Sequence, residues 1–395
     1  MADVPATAAD IHAASIVLDA HADIVLPETS AQYLGADGRS KVAVDKLRTG
    51  NVGAVVMAAA VGPGPRTAAG DAAARDEVDR KLAALESLVA EHSQTLTIAT
   101  TAAAVREARA AGRIALIPGF QNARALGGDL DALNELYAAG VRVFALNHIG
   151  HNDYADSSRP NFDGATGTYE PAEEHGGLSE LGRAAVQRIN DLGAVLDVSQ
   201  SSRVATLSMV AASRAPVIAS HSNARSLSAV SRNLSDAELD AIADQGGVVH
   251  VVAFGAYLID YSDPELLRQI REVRVGAGLP AAYAYPYELY WEIKDPDAKR
   301  AFLTTMRDLI GPGSVQRMVD HVDYLVQRMG IDHVGIGSDF NHGGGVDGFR
   351  EADEALNITG ELLRRGYSAG DIARIWGGNF LRVLDAAAAA AEATR

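Results

Sequence analysis

Eight short apolar runs punctuate the chain, at 16–23, 52–60, 114–120, 141–148, 194–200, 216–221, 248–254 and 333–340. Most are followed by a longer stretch with helical spacing of its apolar residues, as at 71–91, 130–139, 178–192, 204–213 and 237–245. Glycines stand where several of these helices should stop, at Gly140, Gly193 and Gly246. Ser235-Asp236-Ala237-Glu238 reads as a helix start, with a capping hydroxyl and acids in the first turn. Strand–helix alternation repeated about eight times is the pattern of an α/β fold, the (β/α)8 or TIM-type barrel. A doubly wound open sheet is the rival architecture. The barrel is preferred because polar residues collect at the C-terminal ends of the runs, where barrels build their chemistry.

Such a barrel needs roughly 250 residues, and this chain has 395. The sequence predicts one barrel domain over 1–395, with the excess mainly in an insertion at 257–327 and a helical tail at 367–395. The insertion holds an aromatic stretch at 283–290 and a helical pattern at 297–309, and would cap the barrel mouth or make a subunit contact. Hydrophobic residues make up 48% of the chain, enough for a large core without covalent staples. There is no cysteine, which excludes thiolate ligands, thiol nucleophiles and disulfides together. A formal net charge of −16 argues against nucleic acid as a partner. No apolar run is long enough for a membrane span, and residues 1–10 lack a basic leader, so a cytoplasmic location without membrane contact is expected. Dimers are the commonest assemblies of soluble proteins, so a homodimer is the default oligomer.

The most specific local signal is Asp19-Ala20-His21-Ala22-Asp23. Side chains alternate along a strand, so His21 and Asp23 share a face, and an imidazole nitrogen beside a carboxylate suits a divalent cation such as zinc. Two further runs end in Asp197-Val198-Ser199-Gln200 and Ser220-His221-Ser222-Asn223, aimed into the same cavity. Asp197 reads as a structural acid, and His221 suits either a ligand or a hydrogen-bonding role. The last run ends at Asp339, followed by Asn341-His342-Gly343-Gly344-Gly345. An acid there can move a proton or hold an ammonium group, and His342 is a candidate extra ligand through its nearness to Asp339. His148 could polarise a carbonyl, though it or His151 could equally be a satisfied loop histidine. His250 lies mid-strand and reads as buried and hydrogen-bonded. The planar fork of Arg232 suits a carboxylate, with loop bracing as the plainer role.

Taken together these blocks resemble the membrane (renal-type) dipeptidase family, peptidase family M19, among the amidohydrolase-like metal barrels. Gly119-Phe120-Gln121-Asn122, Leu146-Asn147-His148, Arg232-Asn233-Leu234, Gly337-Ser338-Asp339-Phe340 and Gly378-Asn379-Phe380-Leu381-Arg382-Val383 extend the likeness across the chain. The resemblance implies two zinc ions bridged by a glutamate and a water. It puts His21 and Asp23 on the first metal and His221 on the second. It puts His148 near the scissile carbonyl, Arg232 on the terminal carboxylate of a dipeptide, and Asp339 on the proton that passes from water to the leaving amine.

The likeness breaks at two positions. Gln121 falls where the bridging glutamate should be, and Gln200 where a histidine of the second metal should be. A bridging carboxylate offsets the repulsion between dications about 3.5–4 Å apart, and a neutral amide does not. The expectation is therefore one firmly bound divalent ion or fewer, most naturally zinc, held by His21 and Asp23 with His221, Asp339 or His342. The leading reading is a metal-dependent hydrolase of dipeptides or related small amides with an altered, mononuclear site. The alternatives are a family member turned to other chemistry, such as biosynthetic tailoring of a modified amino acid or peptide, and a catalytically degenerate binding protein. The surviving acid and histidines count against the last.

Overall fold

In the computed structural model the described residues are 6–163, 166–279, 293 and 295–393. Eight parallel strands form the wall: β1 Val17–Asp23, β2 Val52–Ala60, β3 Ile114–Gln121, β4 Val143–Ala145, β5 Val195–Asp197, β6 Ile218–Ala219, β7 Val248–Val252 and β8 Val334–Gly337. They pair in chain order, and a short extra strand, Leu96–Ile98, adds to the edge of β3. The seam closes just past β8, where the Asp339 amide donates to the His21 carbonyl and the Asp23 amide to the Phe340 carbonyl, both at 2.9 Å. The molecule is thus a nearly closed (β/α)8 barrel. The strands are short apolar runs buried on both faces, the expected composition for a parallel sheet under helices.

The helices form where the sequence supplies caps. Ser179 opens Glu180–Leu192, with its hydroxyl accepting from the Gly182 amide, and Gly193 ends it at φ +75° in the left-handed region that glycine adopts freely. Glu238 accepts from the Ser235 amide at 2.8 Å to start Asp236–Asp244. The C-terminal helix Asn379–Glu392 sets Phe380, Leu381, Val383 and Leu384 against a cluster made of residues near strand starts, among them Leu18, Ala54, Ala115 and Val248. It therefore closes the end of the barrel opposite the polar strand ends. No helix among the described residues is long and apolar enough to cross a membrane.

Within 257–327, the helices Pro264–Gly276 and Pro296–Ile310 share a small separate core with Val252, Tyr257 and Ile259. The third helix, Val315–Met329, buries Met318, Val322 and Leu325 and packs beside β7 and β8. The stretch 283–290 lies outside the described residues.

Two core histidines set a pH limit on this packing. His250 donates from Nδ1 to the Ala219 carbonyl at 3.0 Å, and His321 Nδ1 accepts from the Ala224 amide at 3.1 Å. Burial pushes His250 down to about 4 and His321 to about 3. Both stay neutral in the fold while an unfolded histidine protonates near 6.5. Their stabilising contribution is therefore complete above pH 6.5 and lost as pH falls towards 4 and 3, at about 3 kcal/mol for His250. The urea midpoint is expected to fall between pH 7 and 4.5, and His250→Leu should flatten part of that slope. A slope identical in the variant would refute the assignment.

Candidate active site

The C-terminal rim of the barrel carries unusual backbone. Asn122, Gln200, Asp339 and Asn341 have φ of +89°, +69°, +55° and +66°. Non-glycine residues adopt that region seldom, and such strain gathers where a side chain must be aimed rather than where packing alone decides. Two of the four, Gln200 and Asp339, are candidate functional residues from the sequence.

The acids and imidazoles converge. His21 Nε2 lies 3.3 Å from Asp23 Oδ1 and 3.9 Å from Asp339 Oδ1. Both His21 Nε2 and Asp23 Oδ1 are buried with no hydrogen-bond partner, so the 3.3 Å approach is not a well-aligned hydrogen bond. His342 Nδ1–H donates to the other oxygen of Asp23 at 2.8 Å. Two overlapping sets each bring three ligand atoms within 4.8 Å: His21, His221 and Asp339, and Asp23, Asp339 and His342. Buried polar atoms left without partners are costly. Here a nitrogen and an oxygen donor face one space, which a divalent cation would satisfy. The residues present fit such an ion.

Charge follows this geometry. Burial acts to raise Asp23, but His342 and His21 outweigh it and hold the carboxyl well below the usual range. Burial acts to lower His342, and Asp23 and Asp339 more than offset it. Asp339 is raised, chiefly by burial. His148 and His221 are pushed well below the usual imidazole range, again chiefly by burial.

A layer beneath holds these groups in place. Asp19 accepts from the Ser338 amide at 2.8 Å, the Ser338 hydroxyl at 2.5 Å and the His21 amide at 3.2 Å, and burial pushes its carboxyl up to about 6. Asp197 accepts from the amides of Ser199 and Ser220 at 2.9 and 3.0 Å and from the Ser220 hydroxyl at 2.5 Å, the bracing role expected of it.

The other candidates separate into two groups. His148 lines the cavity, with its ring 4.8 Å from that of His342 and its Nδ1 without a partner. Gln200 lines it too, accepting from Arg159 Nη2 at 2.7 Å. Gln121 is buried, and neither atom of its amide has a partner. Arg232 lies behind the cavity wall, donating to the His221 carbonyl at 2.7 Å and the Ser222 hydroxyl at 3.3 Å, 5.2 Å from the Tyr257 ring. His151 is a satisfied loop residue, with Nδ1 accepting from the Ser157 amide and Nε2 donating to the Pro171 carbonyl.

The cavity measures about 360 Å³ and is also lined by Tyr33, Lys81, Arg159 and Tyr257, none of which the sequence singled out. Lys81 could have been found: it falls on the apolar stripe of Ala68–Glu91 with Val78, Leu82 and Leu85, an odd place for a cation. Arg159 carries no such signal, because it stands in a loop without periodicity.

The membrane dipeptidase family, peptidase family M19, matches residues 6–395. "Dipeptidase aclJ" of Aspergillus oryzae is 31% identical over 69% of this chain, and the match takes in 51% of its own length, so the chain spans about half of that relative. The crystal structure of the probable dipeptidase PvdM from Pseudomonas aeruginosa is 34% identical, covers 97% of this chain and 98% of its own, and superposes with a TM-score of 0.86. A Rhodobacter sphaeroides metallo peptidase, solved with a phosphinate mimic of the dipeptide L-Ala-D-Ala, shares the fold at a TM-score of 0.72 and 21% identity over 94% of this chain and 99% of its own. With its barrel, its rim of acids and imidazoles and this match over nearly its whole length, the chain belongs to the membrane dipeptidase family, peptidase family M19.

Proposed function

We propose that the protein is a metal-dependent hydrolase of dipeptides or related small amides that holds a single divalent ion firmly, most naturally zinc. The observation that carries this reading is the pair of buried, unpartnered atoms His21 Nε2 and Asp23 Oδ1 beside Asp339 and His342, at the wall of a cavity of about 360 Å³. That volume lies in the range of small-ligand sites. His21, Asp23, Asp339 and His342 would hold the ion. When bound, such an ion polarises the scissile carbonyl and makes a water acidic enough to attack near neutral pH.

The chain's own groups supply the rest. Asp339, raised by burial, is suited to take a proton from the attacking water and deliver it to the leaving amine as the C–N bond breaks. His148, kept neutral by burial, can donate a hydrogen bond to the carbonyl oxygen as negative charge develops there. Arg232 adds positive charge behind Tyr257, which favours a substrate with a free carboxylate. Chelator treatment followed by a dipeptide library tests the reading: turnover should vanish on stripping and return with zinc. Metal-loaded protein that cleaves no dipeptide would refute it. That result would favour the second reading, a family member turned to tailoring of a modified amino acid or peptide, which the bonding of Gln200 to Arg159 supports.

A further inference from the structure

Gln200 stands between two side chains of fixed hydrogen-bonding character. A guanidinium only donates, so the amide oxygen must face Arg159, where Nη2 to Oε1 is 2.7 Å. The amide nitrogen then points at His221, Nε2 to Nε2, at 3.3 Å. On the far side of that ring the Ser220 hydroxyl gives its hydrogen to Asp197 at 2.5 Å. Ser220 Oγ is thereby left as an acceptor for His221 Nδ1–H at 2.8 Å. His221 carries its proton on Nδ1, and its Nε2 lone pair is taken by the amide of Gln200. The same serine oxygen lies 3.3 Å from His21 Nδ1, while His21 Nε2 faces the carboxylates of Asp23 and Asp339 with no hydrogen-bond partner. Two imidazoles with ring centroids 3.9 Å apart thus differ in one respect: His21 is open to a cation and His221 is closed.

We propose that Arg159 and Gln200 form a cationic stopper that withdraws His221 from metal binding. The guanidinium supplies a fixed positive charge on the side of the rim where a second ion would use His221, and the amide occupies the nitrogen that ion would need. Both residues are buried, so the guanidinium charge is screened by little water. The carboxamide of a glutamine can accept from an arginine at one end and donate to a neutral imidazole at the other. The single ion is confined to the side bounded by His21, Asp23, Asp339 and His342. This rests on the proposed function only in taking an ion to be bound beside His21 and Asp23.

The test counts zinc, by calorimetric titration of zinc chloride into chelator-stripped full-length chain with elemental analysis. The wild-type chain should take up about one equivalent. His221→Ala should keep that equivalent with its affinity within about threefold, whereas His21→Ala should weaken it by about tenfold or more. Arg159→Leu combined with Gln200→His should gain a second equivalent, and adding His221→Ala should remove it. Two equivalents in the wild type, or His221→Ala weakening zinc as much as His21→Ala, would overturn the proposal. The two single variants decide it even if the combined variant does not fold. One bound zinc without dipeptide turnover would remove the proposed activity and leave the stopper standing. Two bound zincs with turnover would do the reverse.

Discussion

Asp339→Asn is expected to lower kcat/KM for dipeptide hydrolysis by about 10³-fold at saturating zinc, with the fold unchanged. Proton transfer by a positioned side chain is worth about 10²–10⁴-fold, and Asp339, whose carboxyl is raised by burial, faces both His21 and His342. Asparagine is the informative replacement because position 339 has φ +55°, a conformation that asparagine tolerates better than other non-glycine residues. The amide that donates to the His21 carbonyl is also retained. A loss of activity in this variant therefore reads the carboxylate rather than the backbone, whereas alanine would add strain of about 1 kcal/mol or more. Thermal melting and steady-state kinetics on one preparation suffice. Activity within about threefold of wild type would end the assignment of Asp339 as the proton carrier.

His342→Ala should weaken zinc binding by about 10–100-fold. His342 donates to Asp23 Oδ2, and its positive charge is the main influence holding the Asp23 carboxyl low against the effect of burial. The sign follows from that. Without the imidazole the Asp23 carboxyl rises towards and above the ordinary range, because burial is then less opposed. Protons then compete with zinc for Asp23 at higher pH, so the variant's binding should fail at a higher pH than the wild type's. Equilibrium dialysis across pH 5–8 measures both effects. Zinc affinity and pH profile matching the wild type would show that His342 neither ligates nor supports the ion.

The barrel was legible because its strands are buried on both faces, which turns them into continuous apolar runs between capped helices. His21, Asp23 and Asp339 could be read for a related reason: a polar residue ending such a run has nowhere to point except the rim. Gln121 and Gln200 stood out only against the family pattern, since an amide at a strand end signals nothing by itself. Arg159 was out of reach. It lies 41 residues before Gln200 in an irregular loop, and nothing in a local window links the two. For Arg232 the residue type alone left a carboxylate partner and loop bracing both open. Its fork is turned towards the His221 carbonyl and Ser222, a placement that only the packing of Tyr257 over it reveals.

The hydrogen bonds that close the barrel run through the backbone of the candidate metal ligands themselves, from His21 and Asp23 on the first strand to Asp339 and its neighbour Phe340 after the last. An ion gripped by Asp23, Asp339 and His342 would act as a clasp across that joint, fastening the start of the sheet to its finish. Stripping it would do more than silence chemistry: it would unbutton the cylinder along one edge, and first and last strands should exchange their amide protons sooner than the strands opposite.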